Sequence, residues 1–221
     1  MHRPALPGPD WSAIDTILLD LDGTLLDQAY DNHIWGELVP QRFAAAKGMH
    51  LAAARQEIAR RYAEHHGTIL GYCIDFWSRE LGVDIAALHR ERMAESEWLP
   101  GAREFLQRMR AAGKRLILLT NSHPSALAVK NEQTRVLDYL DASATSHDFG
   151  FPKEDARFWP AAGARFGYDP ARSLFADDNP HVLSAARAAG IRWVYGIRHW
   201  DTKRERRDHL EHPATDSLAD L

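Results

Sequence analysis

Leu18-Leu19-Asp20-Leu21-Asp22-Gly23-Thr24-Leu25-Leu26-Asp27 sets two carboxylates, two residues apart, where an apolar strand gives way to a glycine turn and a second apolar run. Successive strand side chains alternate faces, so Asp20 and Asp22 are expected to point the same way. Nearby like charges raise each other's pKa unless a cation offsets them, and a magnesium ion would do so. Gly23 can take the positive φ of a sharp turn, and Thr24 can bond back to the local backbone to hold it. Asp-Gly between hydrophobic runs is also a common hairpin signal, so a solvated acidic turn is the competing reading of this segment alone.

Three further segments end in chemistry. Arg115-Leu116-Ile117-Leu118-Leu119-Thr120-Asn121-Ser122 is an apolar run of strand length that stops at hydroxyl and amide side chains. Phe151-Pro152-Lys153-Glu154-Asp155 holds a lysine after a proline turn, and Ser173-Leu174-Phe175-Ala176-Asp177-Asp178-Asn179 is another apolar run ending in paired acids. In an open parallel sheet the ligand site lies beyond the carboxyl ends of the strands, so several strands ending this way predict one shared pocket. Carboxylate oxygens suit a hard cation, while Thr120, Asn121 and Lys153 can donate to phosphate oxygens. The combination predicts a magnesium-assisted phosphate site. Each part also has a purely structural reading: Lys153 as a surface lysine paired with Glu154 or Asp155, Thr120 as a helix cap, and Asp178 as an N-cap before Asn179-Pro180.

These residues, Asp20-Leu21-Asp22-Gly23-Thr24, Thr120-Asn121, Lys153 and Asp177-Asp178, stand in one order over most of the chain and resemble the haloacid dehalogenase superfamily of phosphohydrolases. The resemblance implies Asp20 as nucleophile, Asp22 as general acid and base, and Thr120 and Lys153 as phosphate holders, with Asn121 beside Thr120. It also implies Mg2+ held by Asp20, the backbone carbonyl of Asp22, and Asp177, with Asp178 alongside. A nearer likeness is carried by Asp27 to Pro40, with its Asp31-Asn32-His33-Ile34-Trp35 segment, by Leu118 to Lys130, and by Phe149 to Asp155. These segments look like the bacterial GMP/IMP nucleotidase branch, which implies a 5'-nucleotidase acting on a purine nucleoside monophosphate.

Substrate choice is expected in an inserted cap, because the main-domain groups touch only the phosphate and the bond being cut. Asp31, Asn32, His33 and Trp35 are the candidate substrate contacts: an aromatic can stack on a purine while polar neighbours read its edge. Asp22 argues against a dehalogenase, which needs no second aspartate. A phosphosugar phosphatase or mutase, of phosphoglycolate phosphatase or β-phosphoglucomutase type, shares these motifs and stays open, as does a magnesium-binding regulator without turnover.

The interval between Asp20 and Arg115 is dominated by helical spacing, with helices expected over Ala52 to Tyr62, Tyr72 to Leu81 and Ile85 to Met93. Leu99-Pro100-Gly101 reads as the return to the main domain, followed by an amphipathic helix that stops at Gly113. Strand and helix then alternate through Leu116 to Thr120, Ser125 to Leu140, Ala142 to Ser146, Asp155 to Phe166, Leu174 to Ala176 and Asn179 to Ala189, to a last strand over Trp193 to Tyr195. The expected fold is therefore α/β: a doubly wound, Rossmann-like parallel sheet of residues 1–26 and 99–221, with a helical cap of residues 27–98 inserted after the first strand.

At 221 residues and 45% hydrophobic content the chain can bury one such domain with a modest insertion. A net charge of −4 with both signs mixed gives no electrostatic case for a nucleic-acid or anionic-membrane partner, leaving a small phosphomonoester as the expected ligand. The run Lys203-Arg204-Glu205-Arg206-Arg207 reads as a solvated face. The single Cys73 cannot form an intrachain disulfide, no run reaches transmembrane length, and the proline-rich start is not a basic leader, so the cytoplasm is the expected compartment. The histidines show no zinc spacing beyond the adjacent His65 and His66, so no zinc site is expected; His33, His123 and His147 fall near motif or cap segments and read as surface or satisfied core histidines.

Overall fold

Thr16–Leu19 forms the first strand, β1, and all four of its residues are buried. The reason is a parallel neighbour on each side. The strands are β1, β2 (Arg115–Thr120), β3 (Ala142–Thr145), β4 (Ser173–Asp177), β5 (Trp193–Ile197) and β6 (Ala214–Thr215), in the sheet order β3-β2-β1-β4-β5-β6. Every pairing is parallel. These features belong to a computed structural model, which describes residues 8–207 and 211–221. The start of the chain, residues 1–7, assigned above to the main domain, lies outside the described residues.

Alternation along the strands feeds two separate cores. Leu19, Leu118 and Leu174 join Phe105 and Leu106 on one face. Leu18, Ile117 and Phe175 join Phe158, Trp159 and Leu183 on the other. A sheet covered on both faces accounts for the continuous apolar runs read in the sequence. The register sets Leu19 opposite both Leu118 and Ala176, so β1, β2 and β4 end at nearly one level. The chain moves outward from β1 to β2 and β3, then crosses to β4, which makes the β1 end the topological switch point.

Between β1 and β2 lie α1 (Ala29–His33), α2 (Val39–Lys47), α3 (Leu51–His65), α4 (Ile74–Leu81), α5 (Ile85–Glu91) and α6 (Ala102–Ala111), with a π-helical turn at Ile34–Leu38 joining α1 to α2. Helices α1 to α5 pack a third apolar cluster of their own, including Ile34, Phe43, Trp77 and Leu81. Ala126 of the next helix, α7 (Pro124–Thr134), seats against it. The last helices are α8 (Phe158–Phe166) and α9 (Pro180–Ala188). No helix among the described residues is long and apolar enough to cross a membrane.

Several boundaries differ from expectation for local reasons. The helix expected over Ser125 to Leu140 stops at Thr134, where Arg135 turns left-handed at φ 58 and a 3-10 turn over Val136–Tyr139 follows. The helix expected from Asp155 starts at Phe158, because the Asp155 carboxylate instead accepts the Arg157 amide at 2.8 Å. Strand β6 is new: two residues are too few to carry a period.

Candidate active site

Asp20 is the first residue past β1, and its amide continues the ladder by donating to the Ala176 carbonyl at 3.0 Å. The chain then folds on itself, with the Leu25 and Leu26 amides donating to the Leu21 carbonyl at 2.9 and 2.8 Å. Gly23 makes this possible at φ 82, and a Cβ there would sit 2.8 Å from Cγ of Asp178. The acidic turn after β1 and the acidic pair after β4 therefore press together.

Strand alternation does not govern Asp20 and Asp22, because β1 ends at Leu19. The two carboxylates line one cavity but take different lysines. Lys153, 2% exposed, donates from Nζ to Asp20 Oδ1 and, at 2.6 Å, to Asp177 Oδ2. Lys130, 1% exposed, forms ion pairs with Asp22 Oδ1 at 2.7 Å and Asp31 Oδ2 at 2.6 Å. The surface-lysine reading of Lys153 is thus excluded by its burial.

The remaining motif residues hold this arrangement. The Asn121 side chain is used at both ends: its Oδ1 accepts the Lys153 amide and its Nδ2 donates to Glu154 Oε2, each at 2.9 Å. It positions the lysine loop rather than presenting a free amide. Thr120 Oγ1, fully buried, accepts the Ser122 amide at 2.9 Å. Asp177 Oδ1 accepts the Asn179 amide at 2.7 Å, and Asn179, not Asp178, caps α9. Asp178 is instead held by Arg207, which donates to its carbonyl and lies 3.5 Å from its Oδ2. Arg207 also stacks on Trp200 at 4.3 Å, so the basic run is not simply a solvated face.

Five carboxylates, those of Asp20, Asp22, Asp31, Asp177 and Asp178, face three cations, Lys130, Lys153 and Arg207. Burial first, and the excess negative charge after it, show in their acidities. Burial pushes Asp20 well above the usual carboxylate range, against the pull of Lys153. Burial and repulsion from Asp31 raise Asp22 to about 6, with Lys130 opposing. Burial and Asp177 raise Asp178 to about 7. Burial would lower Lys153, yet Asp177 and Asp20 outweigh it and hold the ammonium charged. Asp20, Asp177 and Asp178 each offer one oxygen within 4.8 Å of the other two, an all-oxygen set suited to a hard divalent cation. The Asp22 carboxylate lies outside that set, leaving its backbone carbonyl as the donor the family resemblance implies.

The cavity above these groups measures about 820 Å³ and is lined by Asp20, Asp22 and Lys153 together with Trp35, Tyr62, Tyr72 and Trp77 from the segment between β1 and β2. Of the four candidate substrate contacts, Trp35 and Asp31 line it. The other two are engaged elsewhere: Asn32 Nδ2 donates to Asp201 Oδ2 at 2.6 Å, and His33 pairs with Glu95 at 2.6 Å. Gln28, Arg55, Ile58, Tyr62, Tyr72 and Arg207 line the cavity without having been singled out. Only an aromatic stripe in the inserted helices could have hinted at some of them.

The model of the haloacid dehalogenase-like hydrolases matches residues 14–190. The chain is 40% identical over 204 residues to the GMP/IMP nucleotidase YrfG of Escherichia coli (strain K12), covering 92% of each chain. It is 26% identical to a phosphoglycolate phosphatase of Nitrosospira multiformis, over 86% of this chain and 83% of that one. Among solved structures, an HAD phosphatase from Thermococcus onnurineus superposes with a TM-score of 0.76 at 18% identity, covering 93% and 94% of the two chains, a likeness of fold. The chain belongs to the haloacid dehalogenase-like hydrolase family.

Proposed function

We propose that this chain is a magnesium-dependent phosphomonoester hydrolase that works through an aspartyl-phosphate, and that its substrate is GMP or IMP. The observation that carries the reading is Lys153, buried between Asp20 and Asp177 in a cavity that is also lined by Trp35, Tyr62, Tyr72 and Trp77. The relationship to YrfG supports a purine nucleotide, and the aromatic side chains lining the cavity suit a base better than they suit phosphoglycolate, a small anion. We assign residues 1–26 and 99–221 to the catalytic core and 27–98 to a helical cap, a division supported by the separate apolar cluster of α1 to α5. The cytoplasm is the compartment we assign.

Asp20 attacks the phosphorus in line, forming an oxygen–phosphorus bond as the ester oxygen departs. Lys153 opposes the effect of burial on that carboxylate and can turn an N–H toward a phosphate oxygen, with the Thr120 hydroxyl as a second donor. Asp22, with a pKa near 6, is poised to carry the proton to the leaving alkoxide and then to take one from the water that cleaves the aspartyl-phosphate. Mg2+ bound by Asp20, Asp177 and Asp178 would supply positive charge to the phosphoryl oxygens.

The test is magnesium-dependent phosphate release from a panel of GMP, IMP, other nucleotides, phosphosugars and phosphoglycolate, with Asp20→Asn as control. Preference for the two purine nucleotides, absent in the control, supports the full reading. A phosphosugar-led ranking would keep the chemistry and reject the substrate, and an isomeric phosphosugar product would reject hydrolysis.

A further inference from the structure

A second cluster of ligating side chains lies where the inserted helices meet the loops after β2 and β3. Cys73 caps α4, His123 caps α7, and His147 sits in the 3-10 turn Ser146–Asp148 that follows β3. One ligand atom from each lies within 4.8 Å of the other two. The two imidazoles meet edge to face with centroids 4.7 Å apart. Both ring nitrogens of His147 are buried without a hydrogen-bond partner. An imidazole so placed has given up water at two nitrogens and gained nothing, a cost that an apolar ring would avoid.

We propose that Cys73, His123 and His147 form a second metal site for a borderline-soft divalent ion of the zinc class, which ties α4 to the loops after β2 and β3. The donor set separates this site from the carboxylate centre: one thiolate and two imidazoles suit zinc and its neighbours, whereas oxygen-only ligands suit magnesium. Ligands about 2.0–2.3 Å from a common tetrahedral ion stand roughly 3.3–3.8 Å apart, so closing the cluster takes about 1 Å of side-chain adjustment. Cys73 Sγ is held at the start of α4, where it accepts the Phe76 amide at 3.4 Å.

Burial, helped by the other imidazole, lowers the His147 pKa to about 4, and burial lowers His123 as well, so both rings are in the neutral, ligating form at neutral pH. Asp75 Oδ2 lies 3.9 Å from His123 Nε2 and adds negative charge beside the ion. Binding through either nitrogen of His123 displaces its long, 3.3 Å contact with the Ser125 amide, since Nδ1 is then either bound or protonated. Three protein ligands leave one coordination position for water. His123 and the neighbours of Cys73, Tyr72 and Ile74, line the cavity, so the ion also fixes part of its wall.

The experiment is a titration of the metal-free full chain with Co2+ in excess Mg2+, read by absorption. The expected result is a thiolate-to-cobalt charge-transfer band saturating at about one ion per chain, bleached by Zn2+. Cys73→Ser should remove the band, His147→Gln should weaken binding at least about 100-fold, and Asp177→Asn should leave the band intact. Absence of a thiolate band in the wild-type protein overturns the site without reliance on any variant. So does a spectrum that survives Cys73→Ser but is lost in Asp177→Asn.

Discussion

The ammonium of Lys130 lies 2.6 Å from Asp31 Oδ2, joining the helix after β2 to the first inserted helix through a fully buried cation. The same group is 2.7 Å from Asp22. Removing the cation leaves two enclosed carboxylates facing each other. Lys130→Met should therefore lower folding stability by about 3–5 kcal/mol, as expected when one partner of a buried pair is lost. Urea unfolding measures it, and an unchanged midpoint would show that water enters freely between the acids.

Asp22→Asn tests the proton-transfer role. It should lower kcat on a nucleotide by about 10²–10⁴-fold, and by much less on p-nitrophenyl phosphate, whose departing phenolate needs no proton. Equal losses on both substrates would count against Asp22 as the acid.

Gly23→Ala places a methyl group against Cγ of Asp178 at a backbone φ of 82. The left-handed conformation alone costs roughly 1–2 kcal/mol for a residue with a Cβ. The displaced carboxylate should also raise the Mg2+ concentration needed for half-maximal activity. A variant with wild-type Mg2+ dependence would separate the turn from the acidic cluster.

Trp35→Ala should raise KM for GMP and IMP more than it changes kcat, because the indole lines the cavity and makes no hydrogen bond to Asp20, Asp22, Thr120 or Lys153. Asn32→Ala should leave the substrate ranking intact and lower stability, since Asn32 is bonded to Asp201. Reversal of these two outcomes would move substrate reading from the indole to the amide.

His89 supplies a stability signal below neutral pH. Burial, and next the charge of Lys130, lower its pKa from 6.5 to about 3, so the unfolded chain takes up the proton first as pH falls. The stability contribution of the neutral ring is full above pH 6.5 and is lost through the window down to about 3, at up to about 1.4 kcal/mol per pH unit. Asp22 and Asp178, with raised pKa values, act in the opposite direction. Urea midpoints at about pH 7 and about pH 5 for wild type and His89→Gln isolate the histidine; parallel pH slopes would contradict its burial as a neutral ring.

Most of the motif residues were legible because they stand at the end of an apolar strand, where a short local pattern places a side chain at the sheet edge. Asp20, Thr120 and Asp177 all follow that rule. Its limit is seen at Asp22: alternation requires the strand to continue, and β1 stops at Leu19. The engagement of Asn32 and His33 with Asp201 and Glu95 was not legible, because those partners are remote in the chain and carry no shared period with them. The meeting of Cys73, His123 and His147 was invisible for the same reason, since three separate elements bring them together. Lys130 was quoted only as the end of a similar segment, and nothing in its helix marks it as buried.

Arg207 reaches back to Asp178 from beyond β5, and β5 and β6 both lie past residue 190, where the family match ends. A protein trimmed to that boundary would keep every signature residue and lose the outer third of its sheet together with the guanidinium that pins the second acidic loop. Engineering by motif alone would thus yield a chain with intact reactive groups and a mobile electrode in place of a fixed one, so grafts and fusions of this enzyme should carry the tail as part of the active centre.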